Sequence, residues 1–126
     1  MRSLSLLTLA ALTAFAAGAA RADDVLDTKM TNLASQSGCL TCHSVKAGHK
    51  GPDGMKPIGP AWQEVASRYH HDPKAADGLV VTVMRGSSAY APHWKAQVSG
   101  YAMPPNAVAI TEADARSLVN WILQIK

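Results

Sequence analysis

Apolar positions along the chain fall into one uncharged block and four periodic stripes. The block, Leu4 to Ala20, carries no charge; Arg2 stands ahead of it, and Ala20-Arg21-Ala22 followed by Asp23-Asp24 stands behind. A positive start, a short apolar run and small residues at the two positions a signal peptidase reads predict a cleaved secretory signal over residues 1–22. The run is shorter than the roughly 20 residues a membrane span needs. That argues against the alternative, an uncleaved anchor helix, and no cysteine near the cleavage site offers a lipid anchor.

The stripes predict helices. Val25, Met30, Leu33 and Ala34 share one helical face, and Gly38 ends that element. Trp62, Val65, Ala66 and Tyr69 recur at i, i+3, i+4 and i+7 after Pro60. Asp72-Pro73 reads as an N-cap followed by proline at the first helical position. Ala76, Leu79, Val80, Val83 and Met84 then line one side, with Gly86 as the stop. The β-branched run from Val80 to Val83 also suits a strand, but the cap and the length favour helix. Thr111-Glu112-Ala113-Asp114 resembles a capping box with acids where the helix dipole favours them. Ala115, Leu118, Val119, Ile122 and Leu123 follow, and Lys126 closes the positive end. The fold class expected is all-α, one domain over residues 23–126.

Composition sharpens this. The formal charge of +3 includes Arg2 and Arg21, so removing the signal leaves a nearly neutral chain. Nucleic-acid binding, which needs clustered Lys and Arg, is a poor fit. The sole Phe lies in the N-terminal block, which leaves three Trp and three Tyr to build the core. Small domains often need a metal, disulfides or a cofactor, and two cysteines cannot supply a multi-disulfide framework. Something else fills the centre.

Cys39-Leu40-Thr41-Cys42-His43 says what. Two thiols about one helical turn apart suit addition to two neighbouring vinyl groups on one porphyrin edge, and the histidine that follows suits an axial bond to iron. Competing readings are weaker. A thiol-redox pair normally sits near a βαβ pattern, absent here. A zinc site needs two more ligands at paired spacing, and His70-His71 are adjacent. A plain disulfide between the two cysteines is the remaining alternative.

An electron-carrying haem needs a second strong axial ligand, and a methionine thioether favours ferrous iron. Met30 and Met84 are periodic with helices and Met55 lies in a Gly-rich loop. Met103 instead sits in Tyr101-Ala102-Met103-Pro104-Pro105-Asn106, where prolines stiffen a non-helical segment. His93 is the rival ligand.

Three motifs in order, Cys39-x-x-Cys42-His43, Ile58-Gly59-Pro60-Ala61-Trp62 and Met103-Pro104-Pro105-Asn106, resemble class I c-type cytochromes, above all the short bacterial periplasmic forms. The resemblance covers nearly all of residues 23–126. It implies the cytochrome c fold, with about four helices wrapped round one haem c bound through Cys39 and Cys42. It also implies that the last helix crosses the first near Gly38. His43 and Met103 become the iron ligands, and Pro60 the residue whose carbonyl accepts the other ring N–H of His43. Pro52, in the long loop from Ser44 to Met55, is the runner-up for that role. Asn106 matches a polar residue that donates toward the methionine sulfur. Trp94 matches, loosely, an indole bonded to a haem propionate; Tyr90 is the alternative, because the interval to Met103 is longer than in the shortest relatives.

The function expected is one-electron transfer in the periplasm without substrate chemistry. Redox protein partners would dock transiently on a monomer that has no stable membrane insertion. Lys46, Lys50 and Lys56 read either as a solvated loop or as a basic rim that steers acidic partners. The alternatives are an electron-transfer haem subunit of a periplasmic oxidoreductase, or a haem enzyme that binds peroxide or a small gas if Met103 is labile.

Overall fold

In a computed structural model, residues 23–88 and 93–126 are described; the expected signal (1–22) and Tyr90 lie outside them. Helix α1 covers residues 23–36. A 3-10 turn, Cys39–Thr41, follows, then a second, Pro52–Gly54, and then α2 (Trp62–Tyr69), α3 (Ala75–Arg85) and α4 (Glu112–Ile122). Four helices and no strand stand among the described residues, so the β-branched run Val80–Val83 is helical.

One core joins all four. Met30 and Ala34 of α1, Trp62 and Val65 of α2 and Ala115, Leu118, Trp121 and Ile122 of α4 are buried together, with Leu79, Val83 and Met84 of α3 packed against them. The amphipathic stripes explain the burial, since each helix turns its apolar face inward. Trp121, on the flank of the α4 stripe, is buried and needs a partner for its indole N–H. It donates to Asp27 on α1 at 2.7 Å, a charge-assisted bond that pins α4 to α1.

Helix ends carry the local logic. In α4, Thr111 Oγ1 accepts the Asp114 N–H at 3.1 Å, as the capping box predicts. In α2 the N-cap is Ala61, which has no acceptor, and Glu64 supplies the other half of the box by accepting the Ala61 N–H at 3.0 Å. Helix α3 starts later than Asp72-Pro73 suggests. Asp72 takes the Lys74 N–H with its side chain and the Ala75 N–H with its carbonyl, which closes a turn before the α-helix proper begins.

Gly38 ends α1 with φ 75°, where a left-handed residue is needed. It is not a point of close helix approach: a Cβ added there meets nothing within 4 Å. The small residues deepest in the core are instead Ala34 and Ala115, both fully buried.

Candidate functional site

Two chain segments meet to build the site. Residues 42–45 run beside residues 59–63, joined by backbone bonds from Gly59 N to Cys42 O (2.8 Å), Trp62 N to Ser44 O (2.9 Å) and Gln63 N to Val45 O (3.0 Å). The last two occupy N–H groups that the start of α2 would otherwise leave unpaired. The segment after the cysteines is thereby fixed to a helix end.

Between these segments lies His43. Its Nδ1 is 2.7 Å from the Pro60 carbonyl oxygen. A carbonyl only accepts, so Nδ1 carries the proton and Nε2 keeps its lone pair. Pro60 holds the role for which Pro52 was the runner-up; the Pro52 carbonyl accepts from Met55 N inside its own 3-10 turn. Burial pushes the His43 pKa down, and the bond to Pro60 only partly offsets it. The ring is therefore held neutral, the form that binds a metal.

Gly59 was read only as part of a motif, and the structure gives it a reason. A Cβ there would stand 2.8 Å from His43 Cε1, 3.0 Å from Nδ1 and 3.1 Å from the Cys42 carbonyl oxygen. Only glycine lets the strand pass this close to the imidazole. On the other side, Trp62 stacks on His43 with centroids 5.9 Å apart and planes at 21°, and Trp121 meets Trp62 edge-on at 5.7 Å. The ring is bracketed by a hydrogen bond, a glycine and an indole.

Cys39 and Cys42 stand on one tight turn, where His43 N and Cys42 N both bond the Cys39 carbonyl. Burial pushes the Cys39 thiol up, with Cys42 adding to the rise and a backbone hydrogen bond opposing it. A thiol-redox pair needs the reverse, a lowered thiol that attacks as thiolate.

Met103 is half-buried and held by its backbone. Its N–H donates to Ser87 Oγ at 2.8 Å, and its carbonyl accepts the Ser87 N–H at 2.9 Å. Gly86 at the end of α3 has φ 80°, and a Cβ there would come within 2.8 Å of the Met103 carbonyl oxygen. Ser87 was not foreseen, because a lone serine after a helix-stopping glycine carries no signal of a partner sixteen residues on.

Asn106 is held by main-chain carbonyls. Its Nδ2 donates to the Pro104 carbonyl at 2.7 Å and the Val83 carbonyl at 3.3 Å, and its N–H also bonds Val83 O at 3.0 Å. Both amide hydrogens are used on main chain, so in this structure the side chain ties the Met103 loop to α3 rather than donating to sulfur. Trp94 packs half-buried against the core, with the Arg68 guanidinium 5.1 Å over its ring. His93 is exposed.

The residues fit a covalent haem. Two thiols share one turn, a neutral imidazole keeps Nε2 free, and a methionine stands on a rigid loop. Leu40, Leu79, Val83 and Met84 add apolar surface that the core covers only in part.

Residues 29–126 match the family model "Cytochrome c". The chain is 43% identical over 91 residues to cytochrome c-551 of Allochromatium vinosum, covering 72% of this chain and 80% of that protein. It is 34% identical to cytochrome c-552 of Nitrosomonas europaea over 126 residues, all of both chains. The crystal structure of wild-type Nitrosomonas europaea cytochrome c552 superposes with a TM-score of 0.58 at 34% identity, covering 76% of this chain and 99% of that one.

Proposed function

The chain belongs to the cytochrome c family, and on that premise we propose that it carries single electrons between redox proteins in the periplasm, with His43 and Met103 as the axial ligands. Haem c is bound covalently through Cys39 and Cys42. When bound, it supplies one-electron exchange between ferric and ferrous iron. The observation that carries the reading is the His43–Pro60 bond, which orients the imidazole and leaves Nε2 as the donor.

The remaining residues keep the site unchanged through turnover. Gly59, Trp62 and the bond to Pro60 restrain the imidazole, while Gly86, Ser87 and Asn106 restrain the Met103 loop. Ligands that do not move keep the reorganisation accompanying each transfer small, which suits a carrier. No acid–base pair for substrate chemistry is assigned: His70 and His71 pair with each other, 3.4 Å between ring centroids, on an exposed turn. No helix among the described residues is long and apolar enough to cross a membrane. Export follows from the signal over residues 1–22, cleaved after Ala22.

The test separates a carrier from a haem enzyme. Ferrous protein at neutral pH is expected to bind carbon monoxide negligibly and to reoxidise reversibly by one electron; rapid carbon monoxide binding would instead indicate an open-site enzyme.

Partner docking is transient and monomeric. Lys46, Lys50 and Lys56 are exposed on the loop after His43, with Asp53 among them, and Tyr101 and Val108 flank Met103 at 92% and 100% exposure. Exposed lysines together with exposed apolar residues suit brief encounters with acidic redox proteins. The rate of reduction by such a partner should fall as ionic strength rises through the range in which the Debye length shrinks to about 8 Å. A rate that ignores salt removes the steering role.

A further inference from the structure

The loop that leads to Met103 is fastened at a second place besides Ser87. Ser99 N donates to Pro57 O at 2.8 Å and Gly100 N to Ile58 O at 3.0 Å, with Ser99 Oγ reaching Pro57 O at 3.3 Å. The two segments lie so close that a Cβ on Gly100 would fall 2.5 Å from the Ile58 carbonyl oxygen. Pro57 and Ile58 are two residues upstream of Gly59-Pro60, the pair that holds His43. Ser99 and Gly100 are four and three residues upstream of Met103. One backbone clasp therefore joins the loop of one ligand to the loop of the other.

The turn that approaches this clasp is itself anchored. Gln97 N and Val98 N bond the Trp94 carbonyl, Ala96 takes φ 70°, and the Trp94 ring sits under Arg68 of α2. Arg68 in turn belongs to the helix that opens with Trp62, the residue stacked on His43.

We propose that the Ser99–Gly100/Pro57–Ile58 clasp, backed by the Arg68–Trp94 contact, is the latch that sets how readily Met103 leaves the iron and how readily a small external ligand enters. These are positioning residues, and the inference rests on Met103 being the sixth ligand. A segment opens at a cost set by the bonds it must break. With the clasp shut, Met103 can swing out only against Ser87, Gly86 and the paired segments together. With it open, the segment from Ser99 to Met103 is tethered at one end only. Linkage makes the coupling reciprocal: displacing Met103 must loosen the clasp as much as loosening the clasp favours displacement.

The test uses the ferric holoprotein and imidazole as the entering ligand, followed by loss of the weak far-red thioether–iron absorption band. Gly100→Ala should tighten apparent imidazole binding by about tenfold, as the open population rises in proportion, and Arg68→Ala by roughly two- to fivefold. Far-UV circular dichroism checks that the helices persist. Should Gly100→Ala not fold, the unmodified protein gives a second readout: saturating imidazole should accelerate hydrogen exchange at the Ser99 and Gly100 amides. Unchanged imidazole affinity in folded variants, or unchanged protection of those two amides with imidazole bound, overturns the latch. Absence of the far-red band from the unmodified ferric protein would instead refute Met103 as ligand, a separate failure.

Discussion

Replacing Met103 with alanine should abolish the far-red ferric band, lower the reduction potential and open the ferrous protein to carbon monoxide. The thioether is the softer of the two donors and favours ferrous iron, so its loss stabilises the ferric form. Axial ligation spans about 0.8 V of haem potential, and a fall on the order of 0.1–0.3 V is the expected share here. The fold should survive, because the backbone bonds between residue 103 and Ser87 do not involve the methionine side chain. Potentiometry with a carbon monoxide titration checks all three effects. If the spectrum and potential of Met103→Ala match the parent and His93→Ala shows the loss instead, the ligand is His93.

Gly59→Ala should have the largest effect on stability. The new methyl would sit 2.8 Å from His43 Cε1, against atoms that cannot give, because the ring is held by Pro60 and Trp62. Overpacking of this kind costs about 1–3 kcal/mol, and each kcal/mol lowers the melting temperature by roughly 4–8 °C in a domain of this size. The imidazole should also shift off the Pro60 carbonyl, which moves the potential as a merely structural defect would not. Gly78→Ala is the matched comparison. It lies within α3, where an added Cβ meets nothing within 4 Å, and should stabilise by about 0.5–1 kcal/mol. Equal melting temperatures for the two variants would contradict the role assigned to Gly59.

Much of this site was legible in one dimension because its key signals are local. Cys39, Cys42 and His43 are written within five residues, and the proline-stiffened run after Met103 within four. The helices were legible for the same reason, since periodicity is a property of neighbours; the α4 capping box is the clearest case. What stayed hidden depends on partners distant in sequence. Ser87 matters because Met103 folds back onto it, and Gly59 because the imidazole lies against it. Asn106 belongs with these. A polar residue stood where the family pattern places one, yet its donors go to the Pro104 and Val83 carbonyls. The late start of α3 has a local cause that reading Asp72-Pro73 as cap plus first turn overlooked. An aspartate can close a turn with its own side chain and carbonyl before the helix begins.

The claim beneath all of this is a thioether-linked haem on Cys39 and Cys42. Its most direct test is the intact mass of protein made in a host that exports and matures c-type cytochromes, measured after denaturation has removed everything not covalently bound. The account predicts a chain beginning at Asp23 that carries the added mass of one haem. A mass equal to the bare polypeptide would contradict it.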